Sequence, residues 1–383
     1  MKTNNSATPS THVCLISEQP IPNLVPLLLE KPAKAVFLVS PQMEAQADRL
    51  QKIIQPAGIT VKRQSIASAY NFRAVQQACE EVIQRAENEA PLTLNVTGGT
   101  KIAALAAFQA FYFNNHRIIY LDTEGNKLLQ LAPGPEETAL VGNIIRFRDY
   151  LAAYGMTPLS WNDTVQSSQR PGLHELAELL IGDEQLLSSL NSAIDRNGNN
   201  PSYLNLSLND LGAKAEKLAA CLMECGVASP AQSGILNISS REKIFFCNGG
   251  WLEEYVYWVV KSLGIKGLDL AMNVKVQWDG QGRRQTENEF DILFTHENRL
   301  HMLSCKAANP SRKTSTGTKA VEALNELDTL SDRAGGLFGR PLLVSARRLA
   351  DFDRERAKKM KIGLIDGADV LALKKNIRRW LGL

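Results

Sequence analysis

The sequence predicts an α/β protein with more than one domain. Three observations lead there. The chain has 383 residues, more than one hydrophobic core usually serves. Through the first 150 residues, short β-branched apolar runs alternate with helical patterns. After a helical middle, a second mixture of strand and helix signals follows. A composition of 44% apolar and 22% charged residues is that of an ordinary globular protein.

The elements follow in order. Met1–Thr11 is polar, without an apolar stretch, and reads as a disordered tail, not a secretory leader. Strands are expected at His12–Ser17, Ala35–Ser40, Thr60–Arg63, Leu92–Val96 and Ile118–Asp122. Helices are expected between them, at Pro41–Gln55, Asn71–Glu89 and Lys101–Asn114. This alternation implies βαβ units, hence a parallel sheet covered by helices on both faces. His174–Leu180, Glu184–Ile194 and Leu206–Cys225 then carry apolar residues at helical spacing. The breakers Asn197–Pro201 and Ala228–Gly234 interrupt them. This middle reads as a small helical or winged-helix-like connector with no chemistry of its own. A helix at Gly250–Leu263 opens the last part. Strands at Glu289–Thr295 and Arg299–Lys306, a helix at Lys319–Ser331, a strand at Pro341–Ala346 and terminal helices complete it. The expected division is 1–150, 151–240 and 241–383.

Composition narrows the function classes. No run approaches the ~18 apolar residues of a membrane span, so no membrane partner is expected and a cytoplasmic location is. The six cysteines form no CxxC pair and the five histidines no metal-spaced cluster. Neither a disulfide framework nor a structural zinc site is expected. The net charge of +3 is uneven. From Lys306 onward there are 17 basic and 9 acidic residues, net +8, and the rest of the chain is net −5. A basic end suits a polyanion-binding module; a solvated helix surface is the plainer alternative.

Two motifs carry chemistry. Asn95-Val96-Thr97-Gly98-Gly99-Thr100-Lys101 joins a strand to a helix. Free N–H groups at a helix start favour an anion. Gly98 and Gly99 allow close backbone approach, Thr97 and Thr100 add hydroxyls, and Lys101 adds charge. In a parallel sheet, ligands bind at this end of the strands. Ser17 and Gln19, after the first strand, are candidate neighbours, and so is Asp122, unless it only caps its turn. The motif is neither a P-loop nor GxGxxG, and a tight turn without a ligand would have the same sequence.

The second motif is Glu289-Phe290-Asp291 followed by Ser304-Cys305-Lys306. A turn centred near Glu297–Asn298 would set Asp291 opposite Ser304, with Lys306 on the same face. An acid on one strand and x-x-Lys on the next is the arrangement of a PD-(D/E)xK nuclease. Carboxylates hold Mg²⁺ or Mn²⁺, the metal activates water, and the lysine offsets charge in the transition state. Glu253 on the preceding helix suits the remaining acid, with Glu254 as the alternative. Ser304 occupies the usual second-acid position, and Glu289 is a candidate substitute. A hairpin with ordinary surface charges is the competing reading.

Both motifs, in this order, resemble the CRISPR-associated CARF–nuclease effectors of type III systems. The resemblance spans nearly the whole chain and includes Trp251-Leu252-Glu253-Glu254 and Gly335-Gly336 before Leu342-Leu343-Val344. It implies a Rossmann-like CARF sensor and a restriction-endonuclease-like domain. It also implies binding of a cyclic oligoadenylate, most often the tetra-adenylate, between the CARF domains of a homodimer. The activity implied is metal-dependent cleavage of single-stranded RNA or DNA, or nicking of duplex DNA. Carried over by residue, Thr97, Gly98, Gly99, Thr100 and Lys101 contact the ring, with Ser17 and Gln19 nearby. Asp291, Lys306 and Glu253 serve catalysis, Glu289 joins Asp291 and Glu253 at the metal, and Ser304 is the departure. Two rivals stay open: a catalytically weak or dead sensor, and a ligand-responsive regulator binding DNA through the middle helices.

Overall fold

A computed structural model describes residues 10–86, 91–162, 169–196, 202–232, 234–279 and 287–383. The N-terminal sheet contains β1 (Thr11–Leu15), β2 (Lys34–Val39), β3 (Thr60–Ser65), β4 (Leu92–Asn95), β5 (Arg117–Asp122), β6 (Lys127–Ala132) and β7 (Glu136–Ala139). Their order is β3-β2-β1-β4-β5-β6-β7. The first five strands are parallel and β6 and β7 antiparallel. Helices α1 (Ile21–Glu30), α2 (Glu44–Ile54), α3 (Phe72–Ala86), α4 (Lys101–Phe113) and α5 (Phe147–Ala153) flank it. β1 is buried at every position, as a strand covered on both faces must be. The expected tail runs one residue into β1, because Thr11 already pairs there; residues 1–9 lie outside the described ones.

β8 (Met156–Asn162) follows, then α6 (Leu173–Ile181), α7 (Glu184–Asp195), β9 (Leu204–Ser207), α8 (Ala215–Glu224), β10 (Ser229–Gln232) and β11 (Ile235–Ile238). β10, β11 and β9 form a small antiparallel sheet beside the three helices. Two sequence expectations change here. Leu206–Cys225 is not one helix: Leu204 and Leu206 are buried alternately on a strand, and α8 starts only at Ala215, after Gly212. The Ala228–Gly234 breaker contains a short strand. The Asn197–Pro201 breaker lies outside the described residues.

The last part holds α9 (Arg241–Phe245), α10 (Trp251–Lys261), β12 (Asp269–Trp278), β13 (Glu287–His296), β14 (Arg299–Lys306), the two-residue strands β15 (Lys313–Thr314) and β16 (Gly317–Thr318), α11 (Lys319–Gly335), β17 (Gly339–Ser345), α12 (Asp351–Lys359), β18 (Gly363–Asp366) and α13 (Leu373–Leu381). Its sheet runs β18-β17-β14-β13-β12-β8. β8, from the segment expected to be connector, is therefore an edge strand here, paired to β12. One apolar core joins the N-terminal sheet to this part: Phe147, Tyr150 and Leu151 of α5 pack with Met302, Leu327 and Leu330.

Candidate functional site

The first site begins where β1 and β4 lie side by side. Their crossovers leave in opposite directions, which opens a crevice at the strand ends. Beneath it is a buried amide network. Asn95 Nδ2 donates to the Pro22 carbonyl at 2.8 Å and to Asn23 Oδ1 at 3.2 Å, and Asn23 Nδ2 donates to the Leu15 carbonyl at 2.8 Å. The turn hydroxyls are also held. Thr97 Oγ1 donates to Asn95 Oδ1 and accepts from Leu121 N–H, each at 2.7 Å. Thr100 caps α4 by accepting from Ala103 N–H and donates to the Ala69 carbonyl at 2.6 Å. A Cβ on Gly98 would sit 2.7 Å from the Leu15 carbonyl oxygen, and Gly99 has φ of +84°. Both glycines thus let the turn pack onto β1 as well as leaving its backbone bare.

Above this turn lies a cavity of about 1190 Å³. Ser17, Gln19 and Thr97–Thr100 line one side, with Tyr120, while Arg299, Leu337 and Arg340 line the other. Lys101 stands exposed on the first turn of α4, outside that lining. Asn23, Tyr120, Arg299 and Arg340 escaped the sequence reading as site residues, and Asn95 was read as part of the motif without a role of its own. Asn95 alone had a local signal, its place at the start of the motif.

The second site is built on the β13–β14 hairpin. Glu297 and Asn298 have φ of 51° and 58°, a two-residue turn that needs left-handed backbone. The ladder pairs His296 with Arg299 and Ile292 with Leu303. Beyond it, Asp291 Oδ2 accepts the Cys305 N–H at 2.7 Å and the Ser304 hydroxyl at 3.2 Å, with Lys306 Nζ at 3.5 Å. Asp291 and the lysine charge together hold each other: burial alone would lower the Lys306 pKa, but Asp291 and neighbouring acids keep it above the ordinary value.

Glu253 arrives from α10. A π-turn at Phe246–Gly250 with Gly249 at φ 124° redirects the chain before Trp251. Trp251, Leu252 and Tyr255 then bury in the core, leaving Glu253 half-buried. Burial first, and the Asp291 charge second, push the Glu253 pKa well up; Lys306 opposes and Glu289 adds a little. Glu254 is engaged elsewhere: its Oε2 accepts from Arg170 Nε at 3.0 Å, and Arg170 also lies over the Phe246 ring. Glu289 is largely exposed, 3.9 Å from Lys275 on β12.

This donor set suits a hard cation. Glu253 is reluctant to ionise beside Asp291, and a positive charge between them would remove that cost. Among the described residues, no three His, Cys, Asp or Glu side chains gather closely enough to enclose an ion. Two carboxylates suit an ion that keeps waters and shares a phosphate, as Mg²⁺ does.

Residues 11–150 match the family model of the Card1 CARF domain, and residues 240–383 match that of the Card1-like endonuclease domain. The chain belongs to the Card1-like CARF–endonuclease family. The turn at Thr97–Lys101 lies in its CARF domain, and Asp291, Ser304 and Lys306 lie in its endonuclease domain. Can2 from Sulfobacillus thermosulfidooxidans, solved with cyclic tetra-adenylate, is 24% identical with a TM-score of 0.78, covering 97% of this chain and 99% of its own. Protein VC1899 from Vibrio cholerae is 25% identical with a TM-score of 0.85, covering 97% and 98%. A type III CRISPR defence DNA nuclease activated by cyclic oligoadenylate is 23% identical with a TM-score of 0.55, covering 91% of this chain and 48% of its own. No curated protein matches the chain in sequence. No helix among the described residues is long and apolar enough to cross a membrane.

Proposed function

We propose that the chain is an endonuclease of type III CRISPR defence, switched on by a cyclic oligoadenylate, with the tetra-adenylate as first choice. The observation that carries this is the Asp291–Ser304–Lys306 cluster in an endonuclease domain, on the same chain as a CARF domain with a cavity above its strand-end turn. The sensor, connector and nuclease division belongs to the same proposal, with β8 given to the nuclease sheet.

Asp291 and Glu253 would hold the divalent metal, with Glu289 at its edge. A bound Mn²⁺ or Mg²⁺ supplies charge to polarise the scissile phosphate and acidify water. Cys305 N–H and the Ser304 hydroxyl fix Asp291 Oδ2 in place. Lys306 Nζ faces the charge that builds on the phosphate oxygens. Burial and the Asp291 charge favour the protonated form of Glu253, and a cation held beside both carboxylates would favour its ionised form.

Ring symmetry favours a homodimer. A cyclic tetranucleotide has near two-fold symmetry, and each chain has one copy of the turn. The α4 helix that starts at that turn leaves Ile102, Leu105, Tyr112 and Phe113 exposed along its length, an apolar surface suited to a second chain.

Ser304 supports a second reading, a sensor that binds its ligand without cleaving. The deciding experiment incubates the protein with labelled RNA, single-stranded DNA and plasmid, with Mn²⁺ and each cyclic oligoadenylate. Cleavage that needs both metal and activator supports the nuclease. Calorimetric binding of one ring per two chains, with every substrate intact, establishes the silent sensor.

A further inference from the structure

Arg347 lies just beyond the strand that pairs with Lys306, and none of the described residues forms an ion pair with it. β17 ends at Ser345, which pairs with Lys306. The ladder then runs one bond further, from Ala346 N–H to the Lys306 carbonyl at 3.0 Å. Arg347 is the next residue. The Ser345 hydroxyl donates to its carbonyl at 2.7 Å, so its backbone is fixed. The residue is only 6% exposed. Its Nε is enclosed and makes no hydrogen bond. Among the described residues no hydrogen bond or salt bridge reaches its guanidinium. The one opposite charge acting on it is that of Glu184, exposed at the start of α7.

The same face of α7 meets the strand that carries Lys306. Asn191 is seven residues, two turns, after Glu184, so the two share a face. Its Nδ2 donates to the carbonyl of Ala307, the residue after Lys306, at 3.3 Å. Its Oδ1 is enclosed and unpartnered. Two unsatisfied polar groups, a donor and an acceptor, therefore border the exit from the catalytic strand.

Guanidinium stays charged at any working pH, and enclosing its Nε side without a partner is costly. Its planar fork matches the paired oxygens of a phosphate. We propose that Arg347 anchors a backbone phosphate of the nucleic-acid strand beside the scissile one, with Glu184 shielding its charge in the free protein. This rests on the nuclease reading. It makes the connector helix α7 one wall of the substrate cleft.

The test uses full-length protein silenced by Asp291→Asn, with Mn²⁺ and cyclic tetra-adenylate present. Binding of fluorescein-labelled oligothymidylate and oligouridylate is followed by anisotropy across a salt series. Arg347→Gln should weaken binding about tenfold and reduce the salt slope by about 0.7, the share of one single-strand phosphate contact. Glu184→Gln should tighten binding. Unchanged affinity and slope in a folded Arg347→Gln protein overturns the proposal. So does a Glu184→Gln protein that melts earlier and binds as before, which would mark a purely structural pair. If Arg347→Gln does not fold, the Glu184→Gln result decides alone. Failure of the parent protein to cleave under any condition sinks the nuclease reading instead, and is seen separately.

Discussion

Gln19 and Leu337 are joined by a hydrogen bond between the two working parts of the chain. Gln19 Oε1, at the ligand end of β1, accepts the Leu337 N–H at 3.4 Å and the Tyr154 hydroxyl at 2.8 Å. Leu337 follows α11 with only Gly336 between them. The other end of α11 borders the cleft beside Lys306 through Lys319, Ala320 and Ala323. One 17-residue helix, roughly 25 Å long, thus touches both the cavity above the Thr97–Lys101 turn and the cleft beside Lys306. A rigid element that meets both sites can be biased by a ligand at either.

Gly336 tests this coupling. It has φ of +51°, and a Cβ there would lie 2.5 Å from Gln19 Oε1 and 2.7 Å from the Tyr154 hydroxyl. Gly336→Ala should therefore displace Gln19 from its contact. We expect ring affinity to change less than about threefold while ring-dependent stimulation of cleavage falls about tenfold, within the usual range of coupling energies. Calorimetry and a cleavage assay on the same preparation check both. Full stimulation in the variant would remove α11 as the connection.

The acids of the nuclease centre should rank. Asp291 accepts from three groups at once, so Asp291→Ala should lower cleavage more than about a hundredfold while leaving ring binding intact. Glu253→Gln should approach that loss, because its half-buried carboxyl feels the Asp291 charge. Glu289→Gln should cost less, about threefold to tenfold, because its carboxylate lies exposed beside Lys275. Turnover measured at limiting Mn²⁺ gives the order, and a Glu289→Gln loss equal to that of Asp291→Ala would reverse it.

The hairpin and its register were legible because turn length and strand alternation fix which side chains share a face. The distinction between Glu253 and Glu254 was not. Neighbours on a helix differ by about 100° in direction, and only the Arg170 partner, 84 positions away, tells them apart. β8 and β9 were missed for a similar reason. β8 is an edge strand with adjacent exposed residues at Leu159 and Ser160, and its pairing to β12 is a long-range contact with no local signature. The GGTK turn was read correctly as a strand-to-helix junction. Whether its glycines serve a ligand or a tight turn was left open, because the Leu15 carbonyl and side chain that they pack against are distant in sequence.

That double duty separates two substitutions in the turn. Gly98→Val would place a side chain against the Leu15 carbonyl and Asn23, inside the buried amide network. It should lower the melting temperature as well as ring affinity, since overpacking costs about 1–3 kcal/mol. Lys101→Ala removes an exposed charge on the first turn of α4. It should lower ring affinity by about threefold to tenfold with no change in melting. Thermal unfolding and calorimetry on both variants test the pair. Equal melting for Gly98→Val would show that the turn tolerates bulk, and unaltered affinity for Lys101→Ala would exclude that lysine from ring binding.

His301 should make stability depend on pH. It is buried on β14, stacked on Phe294 with ring centroids 4.7 Å apart, and edge-on to Trp380 at 5.2 Å. Burial first, then the neighbouring His296, drives its pKa well below the ordinary histidine value, with Arg340 and Arg299 adding to the effect. The folded protein therefore keeps this ring neutral where the unfolded chain would protonate it, below about pH 6.5. Above that pH both states are neutral and His301 contributes its full packing. Below it the unfolded state binds one more proton, so stability falls by up to about 1.4 kcal/mol per pH unit. His296, also lowered mainly by burial, acts in the same direction. Thermal unfolding of the parent between about pH 7.5 and pH 5.5 should show a melting temperature that declines with acidity. His301→Phe keeps an aromatic ring on Phe294 but cannot take up a proton, so its melting curve should decline less over the same range. An identical slope in parent and variant would mean that His301 does not control the acid limit of the fold.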